Sequence, residues 1–241
     1  MPPNRPRVSI IVPTYREADN LRPLTRRVFE ALREARLDAE LIIVDDNSCD
    51  GSAEIVDELR AQYPVRIVVR TTERGLSSAV LRGFAEARHD ILVVLDADLS
   101  HPPEMIPELV RCIDRGHADF VIGSRYVTGA HIEASWSFLR RLNSRVATLL
   151  ARPLTPARDP MSGFFALSRA TLSRAAPLDP IGYKIGLELM VKARCRTCVE
   201  VPITFADRTA GASKLTFAQQ VRYLRHLMRL YRFRLTAGAR R

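Results

Sequence analysis

The sequence predicts an α/β fold: a mostly parallel sheet flanked by helices and followed by an amphipathic C-terminal helix. Three observations lead there. Short runs of β-branched and apolar residues alternate with longer stretches of helical spacing, the pattern of βαβ units on a parallel sheet. The runs are apolar at every position, as strands covered on both faces are. Acidic and polar residues stand directly behind several of them, where ligands of such sheets bind.

Val8–Val12, ending at Pro13, reads as the first strand. Asn20 to Arg36 reads as a helix, with Leu21, Leu24, Val28 and Leu32 on one face and Asn20 as its N-cap. Leu41–Val44 is a second strand, halted by Asp45-Asp46-Asn47-Ser48, and Ser52 to Tyr63 is a helix that turns Ile55, Val56 and Leu59 inward. Val65–Val69, the helix Ser77 to Arg88, the strand Ile91–Leu95, the helix Pro103 to Arg115 and the strand Phe120–Gly123 continue the alternation. Gly75 and Gly83 mark either a turn or a close approach around the third helix. The pattern then loosens. Trp136 to Leu150 looks helical and basic, Pro153 to Met161 is a loop, Phe164–Leu167 is a strand, Leu187–Ala193 a helix and Val199–Phe205 a final strand. No internal repeat or low-complexity segment stands out. In Thr216 to Leu235, Val221, Leu224, Met228, Tyr231 and Leu235 form an apolar stripe beside Arg222, Arg225, Arg229 and Arg232. That suits an anionic membrane surface, or a helix packed on the domain with solvated arginines. The expected division is a tail over 1–7, a catalytic domain over 8–215, and a basic amphipathic helix with its tail over 216–241.

The chain has 241 residues, 46% of them hydrophobic, enough for one large domain with a sizeable core. With 37 Lys+Arg against 27 Asp+Glu its formal charge is +10, which favours polyanionic partners. Only 7% of residues are aromatic, with none clustered on a basic patch, so a nucleic-acid partner is not expected. Four cysteines form no dense disulfide framework, which points to a reducing compartment. Cys195 and Cys198 make a single C-x-x-C without a second pair, and plain packing is expected of them. The first seven residues lack an apolar signal region, and no stretch reaches the ~20 apolar residues of a membrane span. A cytoplasmic protein, peripheral at the membrane surface, is the expectation.

Three strand ends carry the chemistry: Pro13-Thr14-Tyr15-Arg16-Glu17, then Asp45-Asp46-Asn47-Ser48-Cys49-Asp50-Gly51, then Asp96-Ala97-Asp98. Each alone could be a turn or a cap. Together they bring like charges into one crevice, which makes sense if a cation or a donor-rich ligand fills it. Asp96 and Asp98 are spaced to hold a hard divalent ion such as Mg²⁺ through oxygen, with substrate phosphates completing the shell. The absence of G-x-G-x-x-G behind the first strand and of G-x-x-x-x-G-K-[ST] anywhere argues against a dinucleotide oxidoreductase or a P-loop enzyme.

The segments VSIIVPTYREADNL, IIVDDNSCDGS, RGLSSAVLRGFAEA, VVLDADLSHPPE, GSRYV, DPMSGFFAL and VPITFADRTAGASKL resemble the family 2 glycosyltransferases, and more narrowly the dolichyl-phosphate (polyprenyl-phosphate) mannosyltransferases. The resemblance runs from Val8 to Leu215. It implies a nucleotide-sugar-binding fold of the GT-A type, and inverting transfer of mannose from GDP-mannose to a polyprenyl phosphate. It implies that Pro13, Tyr15 and Glu17 hold the nucleoside, and Val44 and Asp46 the base and ribose edge. Asp96, Ala97 and Asp98 would bind the diphosphate through Mg²⁺ or Mn²⁺. Arg125, Arg208 and Lys214 would contact the donor or the departing diphosphate, and Arg141, Ser144 and Arg145 would receive the acceptor phosphate. Ser100 stands where some relatives carry a metal-ligating Gln, and is a shorter and weaker candidate ligand. His101 is expected to pack rather than react. Alternatives are another donor such as UDP-glucose, or a non-catalytic subunit of a membrane complex. A membrane-protein partner is compatible with either.

Overall fold

The computed structural model describes residues 6–132, 138–206 and 217–238, with the side chains of 138–142, 217–218 and 237–238 left aside. Seven strands form one sheet: β1 (Arg7–Thr14), β2 (Asp38–Asp45), β3 (Val65–Val69), β4 (Ile91–Val94), β5 (Phe120–Ser124), β7 (Phe165–Ser168) and β8 (Cys198–Pro202). Their order is β3-β2-β1-β4-β7-β5-β8. Every neighbouring pair is parallel except those made by β7, which runs antiparallel between β4 and β5. The short strands β6 (His131–Ile132) and β9 (Thr204–Phe205) pair with each other.

Alternate residues of each strand enter two separate cores, as the period of two requires. Ile10, Val12, Leu41, Ile43 and Val93 pack under α1 (Ala18–Glu34), α2 (Ser52–Leu59) and α4 (Ile106–Asp114). Ile11, Ile42, Leu92 and Ile122 face α3 (Leu76–Glu86), α7 (Ile185–Lys192) and α8 (Phe217–Gly238). Both faces are covered, which is why the runs read as unbroken apolar sequence. Gly83 marks a close approach: a Cβ there would lie 2.3 Å from Ile11 Cγ2. Gly75 instead precedes α3 as its N-cap residue, with φ of 131°.

Two expectations are corrected. Asn20 is not the N-cap of α1; the helix begins at Ala18 behind Glu17, and Asn20 sits in its first turn with its amide donating to Glu17 Oε2 at 2.6 Å. The final strand is not continuous. Pro202 has no N–H to carry the ladder onward, Ile203 N–H donates to Ser124 O at 3.0 Å, and the chain then crosses to β6 as β9. Cys195 and Cys198 pack against the second core, and burial pushes both thiols up to about 12.

Helix α8 packs on the domain while leaving most of its predicted apolar stripe outward, only Tyr231 of that stripe resting against the second core. His226, Leu227 and Leu230 face inward, while Val221, Leu224, Met228 and Leu235 are exposed. Its anchor is polar. His226 Nε2 lies 3.1 Å from Glu188 Oε2, Lys192 Nζ lies 2.6 Å from Glu188 Oε1, and Asp179 N–H donates to the same carboxylate at 2.8 Å. Burial alone would raise the Glu188 pKa, but the His226 and Lys192 side chains and the Asp179 N–H bring it below the ordinary value.

Glu188→Leu should therefore cost about 3–5 kcal/mol in urea unfolding, the scale for removing one member of a buried ionic group. The folded-state pKa lies below the unfolded one, so this stabilisation is complete above the ordinary carboxylate range. It fades as pH falls through the depressed value. A pH series of melting temperatures in which wild type and Glu188→Leu converge only in acid would bear this out; a constant gap would not.

Candidate active site

The site forms at the carboxyl ends of β1, β2 and β4, and its loops brace one another. Thr14 Oγ1 donates to Asp45 Oδ1 at 3.1 Å, Asp46 N–H to Thr14 O at 3.1 Å, Arg16 N–H to Ser48 Oγ at 2.8 Å and Ala18 N–H to Asp50 Oδ2 at 3.2 Å. Asp45 also accepts the Ser48 N–H at 2.8 Å and the Ser48 hydroxyl. Arg16, Asn47, Cys49 and Leu99 lie in these loops with φ between 52° and 60°. Left-handed backbone at non-glycine residues is unfavourable and persists where surrounding bonds over-determine it.

Pro13, Thr14, Tyr15, Glu17, Asp46, Leu76, Ala79, Asp96, Ala97 and Asp98 line one pocket of about 210 Å³. Tyr15 is 44% exposed at its mouth, with the guanidinium carbons of Arg16 and Arg74 at 5.3 and 5.5 Å from the ring centroid. Val44 is not brought in; its side chain is fully buried in the second core.

Asp46 reaches the pocket but is held from behind by Arg70, a residue that the sequence reading did not single out. Asp46 Oδ1 accepts from Arg70 Nε at 2.8 Å and from Nη2, while Oδ2 accepts Gly75 N–H at 2.7 Å. Arg70 also donates to Ser78 Oγ at 2.9 Å and Gly75 O at 3.0 Å. Its side chain is 4% exposed. The pair clamps the segment between β3 and α3 against the pocket. Arg70 directly follows the run Val65–Val69, the same strand-end position that exposed the carboxylates, and that placement was the available signal.

Asp96 is 27% exposed at its side chain, and Asp98 lies deeper. Asp98 Oδ1 accepts both the N–H, at 3.1 Å, and the hydroxyl of Ser100. His101 lies between Phe164 and Phe205, with ring centroids 5.6 and 5.3 Å away, and accepts Asp96 N–H at Nδ1 over 3.4 Å. Burial pushes its pKa down against the pull of Asp96, so the ring stays neutral. Among the described residues no three His, Cys, Asp or Glu side chains gather as a metal cage. Two hard carboxylates at the pocket wall, one oriented by a buried hydroxyl, still fit Mg²⁺ or Mn²⁺ when a diphosphate supplies the other oxygens.

Arg125 stands at the end of β5, outside the pocket lining. It pairs in bidentate fashion with the fully buried Asp159, Nε to Oδ2 and Nη2 to Oδ1 at 2.8 Å each. Burial would raise the Asp159 pKa, but Arg125 holds it below the ordinary range. Asp159 opens the turn Asp159-Pro160-Met161-Ser162-Gly163, whose motif was quoted from sequence without a role for its aspartate. Ser144 lies on α5 (Phe138–Ala151), its Oγ 2.8 Å from Tyr126 Oη, next in sequence to Arg125; Arg145 is exposed. The Arg141 side chain, Arg208 and Lys214 lie outside the described residues. Ala206 N–H donates to Ser100 O at 3.1 Å, two residues ahead of Arg208.

Residues 9–174 match the family described as glycosyl transferase family 2. Over 239 residues the chain is 49% identical to the dolichol-phosphate mannosyltransferase of Saccharomyces cerevisiae, covering 95% of this chain and 89% of that one. It is 46% identical over 231 residues to the protein of that name from Pyrococcus furiosus, covering 94% of this chain but only 64% of the relative's length. Among solved structures, glucosyl-3-phosphoglycerate synthase from Mycobacterium tuberculosis, in complex with Mn²⁺, UDP-glucose and phosphoglyceric acid, superposes with a TM-score of 0.68 at 20% identity. That alignment covers 94% of this chain and 80% of the other, and shows a shared fold.

Gly163 lies close against Asp96: a Cβ there would meet Asp96 Oδ1 and Oδ2 at 3.0 and 3.1 Å. Gly163→Ala should turn that carboxylate aside and weaken Mn²⁺ binding about 10-fold or more, the scale of losing a ligand's orientation. Titration of Mn²⁺ followed by electron paramagnetic resonance measures it, and wild-type affinity in the folded variant would refute it.

Proposed function

The chain belongs to glycosyl transferase family 2, and from that premise we propose that it transfers mannose from GDP-mannose to a polyprenyl phosphate of the dolichyl type, with inversion at the anomeric carbon. The observation that carries the reading is Asp96-Ala97-Asp98 leaving the buried β4 into a pocket shared with the exposed ring of Tyr15. The names of the relatives at 46% and 49% identity favour mannose and a polyprenyl phosphate over other sugars and acceptors.

In this reading Tyr15 stacks on the base, with Pro13 and Glu17 bordering the nucleoside. Asp46 lies at the base and ribose edge, and Val44 supports it from the buried strand behind. Asp96 and Asp98 hold Mg²⁺ or Mn²⁺, which neutralises the diphosphate leaving group. Ser100 orients Asp98 by its hydrogen bonds and is offered as a further, weaker ligand. Arg125, Arg208 and Lys214 are offered to the donor and the departing diphosphate, and Arg141, Ser144 and Arg145 to the acceptor phosphate. A phosphate monoester is already a charged nucleophile at neutral pH, so positioning and leaving-group stabilisation suffice without a general base. The neutral, enclosed His101 agrees with that division of work.

We place the protein peripherally on the cytoplasmic side of a membrane, where an acceptor of this kind resides. Val146, Leu149 and Leu150 on α5 and Val221, Leu224, Met228 and Leu235 on α8 are exposed, with Arg145, Arg222, Arg225, Arg229 and Arg232 exposed among them. The two helices are tied side by side by Tyr223 Oη donating to Ala147 O at 2.6 Å and Tyr231 Oη to Leu150 O at 2.7 Å. An apolar surface fringed by guanidinium groups suits an anionic lipid interface or a membrane-protein partner. No described helix is long and apolar enough to cross a membrane.

Incubation with GDP-mannose or UDP-glucose, Mg²⁺ and a short polyprenyl phosphate should give a mannosyl lipid from the first donor only. A glucosyl lipid instead would overturn the donor and keep the fold. Asp98→Asn should lower turnover by at least about 100-fold, since it removes a charge that stabilises the leaving group. The circular-dichroism spectrum should stay native; wild-type turnover in that variant would sink the metal-site assignment.

A further inference from the structure

Lys184 stands at the head of α7, beyond the acidic pair as seen from the nucleoside pocket. The ammonium donates to Met161 O at 2.8 Å and lies 4.5 Å from the centre of the Tyr183 ring. Both partners are uncharged. Among the described residues Lys184 makes no ion pair. The charged groups that act on it are Arg125, Asp159 and Asp96. Asp159 is already engaged by Arg125 through two hydrogen bonds and a further one from the Arg125 N–H. Two cations, Lys184 and Arg125, thus share Asp159 and Asp96, and the partly buried Lys184 pairs directly with neither carboxylate. Burial pushes the Lys184 pKa down to about 8, with Arg125 adding to the effect and Asp159 and Asp96 opposing it.

A partly buried ammonium whose direct partners are a carbonyl and a ring has room to gain from an anion bound beside it. The position says which anion. The nucleoside pocket is built on the β1 and β2 side of Asp96, whereas Lys184 shares the Met161 turn with Asp159 and Arg125 on the β5 and β7 side. Tyr126 and Ser144 border that side, their hydroxyls 2.8 Å apart. We propose that Lys184 binds the phosphate monoester of the acceptor, holding it on the side of Asp96 opposite the nucleoside. The proposal rests on the glycosyl-transfer reading above, and goes beyond it by naming a residue and the phosphate that it takes.

Octyl phosphate is a soluble probe for the site, titrated by calorimetry into protein loaded with GDP and Mn²⁺. Lys184→Met should weaken octyl phosphate binding by about 10-fold or more, the scale of one charge-assisted hydrogen bond. GDP affinity should stay within about two-fold, and Lys184→Arg should restore part of the loss by returning the charge. In transfer assays the KM for polyprenyl phosphate should rise more than kcat falls. Unchanged octyl phosphate affinity in folded Lys184→Met, equal weakening of GDP, or no binding of octyl phosphate to the wild type overturns the proposal. If Lys184→Met does not fold, the wild type decides: affinity should drop from about pH 7 to about pH 9 as the ammonium loses its proton, and a flat profile refutes the idea. Binding of the probe needs no sugar transfer. A wild-type protein that binds octyl phosphate through Lys184 yet makes no mannosyl lipid would overturn the mannosyl reading alone.

Discussion

Carboxylates crowd the carboxyl edge of this sheet, and their mutual repulsion in a poorly solvated place constrains everything around them. Asp45, Asp46, Asp98 and Asp159 are all buried. Buried charge of one sign is tolerated only with hydrogen bonds or counter-charges. Each is satisfied differently, and the manner of satisfaction sorts the residues by role. Asp45 accepts from Thr14 and Ser48 and locks two loops together. Asp46 takes Arg70, and Asp159 takes Arg125. Asp98 is oriented by Ser100, and Asp96 opens toward the pocket. The acidic pair is thus set apart as the place where a cation can be received.

The antiparallel β7 has a part in this. By entering between β4 and β5 it places the turn before it directly against the end of β4. Gly163 then touches Asp96, Ser162 Oγ donates to Gly123 O at 2.8 Å, and Asp159 and Met161 hold Arg125 and Lys184. One short turn therefore fixes the distances among the acidic pair, the guanidinium and the ammonium. A parallel strand here would deliver its preceding connection to the opposite edge of the sheet, and the cations would lack that support.

Helix α8 couples this core to the outer surface. Its inward residues close the second core and engage Glu188 on α7, the helix that begins just after Lys184. Its outward residues join those of α5, which also carries Ser144. The anionic-lipid face and the acceptor side, both proposed above, are therefore assigned to the same pair of helices and their neighbours.

The strands and most helices were legible in sequence because they depend on local periodicity: a run apolar at every position has to be covered on both faces. The acidic pair was legible for a related reason, since two carboxylates directly behind such a run fall at the sheet edge whatever the rest of the chain does. The partners of the charges were not. Arg70 meets Asp46 across 24 positions, Arg125 meets Asp159 across 34, and Lys184 meets Met161 across 23. Arg70 stands at a strand end, but nothing local says which charge it meets, and nothing local in Lys184 distinguishes it from the many basic residues left in solvent. The stripe of α8 shows the same boundary, because periodicity defined an apolar face but not which face would be buried; His226 and Leu227 won that place through Glu188 and the second core. The sequence by itself determined the layers, the strand ends and the acidic pair, which follow from spacing along the chain. Tertiary structure alone decided which charge meets which, because such pairs form between segments whose approach is set by the order of strands in the sheet.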